Sequence, residues 1–138
     1  MLVLLFLSGP IRLEGTTNEK IGTASTTPTL PASVRQQLID AFGTDSIMLA
    51  IASCESHFRQ FHSDGSVYKG KINPHDIGVF QISETYWLDV LNKLGYNIYT
   101  LDGNIKMAEY IYEHNGTTPW NWSKKCWSVL GVSESKKG

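Results

Sequence analysis

Residues 45–58 read DSIMLAIASCESHF, and the spacing within this stretch decides how the chain is organised. Ile47, Ile51, Glu55 and Phe58 recur at i, i+4, i+8 and i+11. That period predicts a helix running from an Asp45 cap to about Phe58. Glu55 then falls on the apolar face, in the last helical turn. An ionised carboxylate there loses hydration and meets the negative end of the helix dipole. Both effects favour the neutral acid and raise its pKa. A carboxylic acid still protonated near neutral pH is what general acid catalysis requires. The same spacing also allows a Glu that swings out to solvent at a frayed helix end.

The neighbouring segments read mainly as helices. Val34, Leu38 and Phe42 at i, i+4 and i+8 predict a helix over 31–42, stopped by Gly43. Further helices are expected at about 84–94, ending at Gly95, and at about 103–114, from an Asp102 cap to Asn115-Gly116. A last one is expected at about 122–130. Between the second and third helices lies HSDGSVYKGKINPHD, residues 62–76. Asp64-Gly65 is a turn signal, and the β-prone pieces around 67–72 read as a small hairpin or β-lobe. The predicted class is therefore α+β, mainly helical, without the strand–helix alternation of a parallel sheet.

The flanks differ in composition. Residues 1–14 begin with the apolar run Leu2 to Leu7, too short for a membrane span of about 20 apolar residues. The run looks like the end of a secretory h-region, although it lacks a basic n-region and a clear cleavage site. A plain apolar terminus is the other reading. Residues 15–30 are rich in Thr, Ser and Pro, and read as a linker that buries too little apolar area to order itself. Residues 31–130 form the expected folded domain and 131–138 a frayed tail.

The 138 residues are 41% hydrophobic and 18% charged, a globular composition with room for one domain. Twelve Lys+Arg stand against 13 Asp+Glu, for a net charge of −1. This balance excludes the electrostatic footprint of a general nucleic-acid binder. Two Cys permit one disulfide at most.

Three strings, in order, resemble the lysozyme-like superfamily. CESHF (54–58) resembles the E-S-x-F segment of chicken-type lysozymes and soluble lytic transglycosylases. DIGVFQISETYW (76–87) is similar to the D-Y-G-I-F-Q-I-N-x-x-Y-W segment of chicken-type lysozymes. GTTPWNWSKKCW (116–127) looks like the G-x-x-x-W-x-x-C ending of resuscitation-promoting factors, which also carry Cys-Glu-Ser at the acid. The resemblance implies a helical lobe, a small β-hairpin lobe and a cleft between them. It implies a muramidase that cleaves the β-1,4 bond between N-acetylmuramic acid and N-acetylglucosamine in peptidoglycan glycan strands.

Carried over residue by residue, the resemblance makes Glu55 the general acid and Asp76 the second carboxylate. Gly78, Phe80 and Gln81 fall in the segment that lines the family's cleft, and Tyr86 and Trp87 are further candidates for substrate contact. Two carboxyl groups flanking a glycosidic bond divide the work only if their environments differ. The polar, Gly-containing NPHDIG stretch suits an ionised Asp76, and the apolar helix face suits a neutral Glu55. The resemblance also implies a bridge between Cys54 and Cys126, with two buried free thiols as the alternative.

The pattern departs from the family in several ways. The stretch between Glu55 and Asp76 is longer than in chicken-type lysozymes, and their several disulfides are missing. Asp64 competes as second carboxylate at a phage-lysozyme-like spacing, although an Asp-Gly turn explains it without function. The Y-N-A-G motif of soluble lytic transglycosylases is absent, yet a transglycosylase using Glu55 alone is the alternative enzyme. A peptidoglycan-binding module with a dead site is the non-enzyme alternative.

No metal or other cofactor is expected, since His57, His62, His75 and His114 lack a zinc-ligand spacing. Trp87, Trp120, Trp122 and Trp127 suit either a core or a cleft. Both glycosylation sequons, at Asn115 and Asn121, read as chance. A monomer is expected, secreted, periplasmic or associated with the cell wall, with no nucleic-acid partner and no integral membrane span.

Overall fold

The computed structural model describes residues 32–130. The N-terminal apolar segment, the Thr/Ser/Pro-rich linker, Pro31 and the 131–138 tail lie outside the described residues. Five α-helices are described: α1 Val34–Phe42, α2 Ile47–Ser56, α3 Leu88–Leu94, α4 Leu101–Asn115 and α5 Lys124–Trp127. Short 3-10 segments, Thr118–Ser123 and Ser128–Leu130, flank α5. The strands β1 Asp76–Ile77 and β2 Ile82–Ser83 lie between α2 and α3 and pair antiparallel, with Asp76 opposite Ser83 and Ile77 opposite Ile82.

Helix starts follow local hydroxyl chemistry rather than the acidic caps expected from the sequence. Ser33 Oγ accepts the Gln36 N–H and opens α1. Ser46, not Asp45, caps α2 by accepting the Met48 N–H. Thr100, not Asp102, caps α4 by accepting the Gly103 N–H. Asp102 instead pairs with Lys106 one turn on, at 2.7 Å.

α2 is the central helix. Residues 47–52 and Ser56 are all buried, so the helix is covered on nearly every side rather than along one stripe. It packs against α1, α5 and the 118–123 segment. Around it Leu38, Met48, Ile51, Ile77, Val79, Phe80, Met107 and Ile111 form a core with 0–1% exposure, closed by Trp120 and Trp127. At the about 25 cal/mol per Å² typical of apolar burial, each such side chain contributes roughly 1.5–3 kcal/mol. Cys54 in α2 and Cys126 in α5 are joined by a disulfide with a Cα–Cα distance of 6.0 Å. Closing a loop with a sequence separation of 72 removes about 4 kcal/mol of unfolded-chain entropy in the loop model.

The β-prone region and the final helix differ from expectation. Residues 67–72 supply only single bridges, Phe61 with Val67 and Lys69 with Ile77, and the paired strands lie immediately downstream. The physical reason is burial: Ile77 and Ile82 go into the core, whereas Lys69, Lys71 and Ile72 face solvent. The third helix starts at Leu88, because 84–87 form turns in which the Trp87 N–H bonds the Ser83 carbonyl. The expected helix at 122–130 is a short α-turn flanked by 3-10 turns, the first with Pro119 in its opening turn. No described helix is long and apolar enough to cross a membrane.

Candidate active site

A groove of about 930 Å³ runs between the end of α2, the β-bridged segments and the 118–123 turn. Glu55 and Asp76 both line it, together with Gln81, Tyr86 and Trp87. The apolar face inferred for Glu55 thus delivers it to the groove, not to bulk solvent. α2 ends just beyond it, where His57 adopts a left-handed conformation (φ 54°) and its N–H closes onto Ala52 and Ser53. Phe58 follows at φ 60°. Two consecutive non-glycine residues in this region are strained, and such strain concentrates at functional sites.

Glu55 is half-buried, and burial raises its pKa, with a smaller upward push from the charge of Asp76. A hydrogen bond with Ser123 opposes both. Ser123 Oγ lies 2.5 Å from Glu55 Oε1 and 3.1 Å from the Trp120 carbonyl. This pair serves either charge state. An ionised Glu55 accepts the hydroxyl proton, whereas a neutral Glu55 donates its own and Ser123 turns its proton to Trp120. Nothing in the local sequence marks Ser123, which is 68 residues from Glu55.

Asp76 opens β1 and is half-buried. Asn73 Nδ2 donates to its Oδ1 at 2.9 Å. Burial raises the Asp76 pKa, while Asn73 and His75 pull it down. Asp64 does not line the groove. It is exposed, its Oδ1 accepts the Ser66 N–H and hydroxyl, and these bonds lower its pKa. The turn accounts for it completely.

Gly78 and Phe80 do not reach the groove; both are buried behind its wall. Their place in the motif is structural. The backbone from Ile77 to Phe80 passes through the core without ladder partners for most of its groups, and four side chains supply them. Asn104 donates to Ile77 O and accepts from Phe80 N. Gln60 accepts from Val79 N, Ser56 donates to Val79 O, and Trp120 Nε1 donates to Phe80 O. Gln60, Asn104 and Ser56 are all 0% exposed, so each bond replaces water that cannot enter. Gly78 sits at φ 73°, and a Cβ there would lie 2.4 Å from Gln60 Oε1. Gln81 follows at φ 49° and bonds back to the Gly78 carbonyl through its side chain.

The tryptophans divide by role. Trp120 and Trp127 are core, Trp87 is half-buried, and Trp122 is fully exposed on the groove. Tyr86 and Trp87 meet edge to face, with centroids 5.0 Å apart. Among the described residues, no three His, Cys, Asp or Glu are grouped to hold a metal ion. Compared with known proteins, the chain matches no family model, no curated protein and no solved structure.

Proposed function

We propose that the chain is a peptidoglycan muramidase that cleaves the β-1,4 bond between N-acetylmuramic acid and N-acetylglucosamine. The observation that carries this reading is Glu55: a carboxyl group with a raised pKa, on the wall of an open groove, within electrostatic reach of Asp76. In the reaction, Glu55 protonates the leaving glycosidic oxygen. Asp76 faces the positive charge that develops on the sugar ring, either as a counter-charge or as the nucleophile of a covalent adduct. Water then completes hydrolysis, activated by the Glu55 carboxylate. Gln81, Tyr86 and Trp87 contact the glycan. The Cys54–Cys126 bridge supports a secreted or wall-associated location, since such bridges persist in oxidising compartments.

A second enzyme reading needs no permanent charge on Asp76, whose pKa burial raises. A lytic transglycosylase needs only Glu55, because a hydroxyl of the substrate attacks and leaves a 1,6-anhydro end. Mass spectrometry of digested peptidoglycan separates the two. The muramidase releases reducing ends, and the transglycosylase releases ends lighter by one water. An intact, undigested wall overturns both and leaves the binding module.

A further inference from the structure

Exposed apolar side chains gather at the groove. Ile72 and Trp122 are 100% exposed and Tyr86 78%, and all three line it. A wholly exposed indole has no folding role to explain it, and an apolar cluster of this kind marks a contact surface. Trp122 also borders a second, shallow depression of about 410 Å³, which it shares with Asn121 and Lys125. Trp122 thus stands between the groove and a basic surface, where Lys125 lines the second depression and Lys124 is exposed beside it in sequence.

The charges along this path have opposite signs. Glu55 and Asp76 line the groove itself. Beyond Trp122 the ionisable group is the Lys125 ammonium. We infer that Trp122, Asn121 and Lys125 form an outer subsite for a sugar unit that bears a carboxylate. This rests on the glycan-cleaving reading above. The indole face takes the apolar face of a pyranose ring. The Asn121 amide can exchange hydrogen bonds with an N-acetyl group, and the Lys125 ammonium pairs with the carboxylate. In a peptidoglycan strand that carboxylate has two sources: the lactyl group of a muramoyl unit without a stem, or, where the stem is amide-linked to that group, the peptide's own carboxylates. The subsite thus sets the register of the strand by charge, holding a second acidic unit beyond the one at the catalytic pair.

The test is calorimetric binding by the full chain carrying Glu55→Gln, which prevents turnover. Three probes are used: a neutral chito-oligosaccharide, peptide-free glycan strands, and strands with their stem peptides. Trp122→Ala should weaken all three by about tenfold. Lys125→Gln should weaken the acidic strands about tenfold, leave the neutral oligosaccharide unchanged, and be rescued by Lys125→Arg. Loss only on the peptide-free strands assigns the lactyl carboxylate, which the stem otherwise ties up as an amide; loss only on stem-bearing strands assigns a carboxylate of the peptide, and loss on both means that either serves; each supports the subsite. Unchanged binding of acidic strands by Lys125→Gln, an equal loss on the neutral probe, or no effect of Trp122→Ala overturns it. Both side chains are exposed, so folding is preserved, and thermal melting verifies this. Lysis by the unsubstituted chain is measured alongside. Its absence overturns the muramidase reading, whereas the binding pattern decides the subsite alone.

Discussion

The segment behind the groove and the rim of the groove are built in opposite ways. Behind the wall, from Ile77 to Phe80, most backbone groups are held by buried side chains from other elements, and Gly78 leaves no space for a methyl group. At the rim, Ile72, Tyr86 and Trp122 stand out into solvent. The first arrangement fixes atoms. Asp76 and Gln81 flank the held segment on either side, so their positions in the groove inherit its rigidity. The second arrangement offers apolar surface and leaves the fold indifferent to its identity. Substitutions behind the wall should therefore cost stability, those at the rim affinity, and those at the carboxyl pair rate.

The largest effect is expected at Glu55. Glu55→Gln keeps the shape but removes the proton, and lysis of purified cell walls should fall on the order of 10³-fold. The same change should stabilise the protein at neutral pH. Because burial holds the Glu55 pKa above its usual 4.5, folding favours the neutral acid. That advantage is complete below the ordinary pKa and is lost as pH rises through the raised one. A neutral amide escapes the loss. The melting temperature of Glu55→Gln should exceed that of the parent at pH 7, and the gap should close in acid.

Asn104→Ala should come next. It takes the side-chain partner from Ile77 O and Phe80 N in a dry core, while Ile98 O keeps its bond from Gln60. The expected loss is about 3 kcal/mol, read from the denaturation midpoint. A loss as small as that of an exposed Asn would mean that the segment is held some other way.

Asp76→Asn should lower kcat on the order of 10²-fold, about 2.7 kcal/mol of barrier. Asp64→Asn should change neither rate nor stability appreciably, because Asn serves a turn before Gly almost as well. The reverse pattern would move the second carboxylate to Asp64. Full rates in both variants would favour the transglycosylase.

The smallest effect is a gain. His57 is exposed and left-handed at the end of α2. His57→Gly relieves a strained conformation and should add about 1 kcal/mol to stability by denaturant titration.

Legibility followed sequence distance. The i, i+4 spacing around Glu55 was enough to place it in the last turn of α2, because helix periodicity is local. The string around Asp76 led to the groove for Gln81, Tyr86 and Trp87. Gly78 and Phe80, in the same string, serve the wall, since a motif does not separate residues that touch a ligand from residues that hold those that do. No local signal marks Ser123, Gln60 and Asn104, because each acts on a partner distant in the chain. Gln60 reaches Val79 across 19 residues and Ser123 reaches Glu55 across 68. β-propensity points to 67–72 because it ignores which isoleucines find a core, and Ile77 and Ile82 do. Hydroxyl caps displaced acidic ones at Ser46 and Thr100, since both residue types fit the position and geometry decides.

The central claim is that Glu55 is the acid and that its surroundings set its proton affinity. The most direct measurement is the pH dependence of wall lysis in the parent and in Ser123→Ala. The Ser123 hydroxyl stabilises the ionised carboxylate and lowers the Glu55 pKa. Its removal should raise that pKa further and carry the alkaline limb of the rate profile to higher pH, with the acid limb unmoved. An alkaline limb that stays in place when Ser123 is replaced would contradict the account, because the proton that governs the reaction would then sit elsewhere.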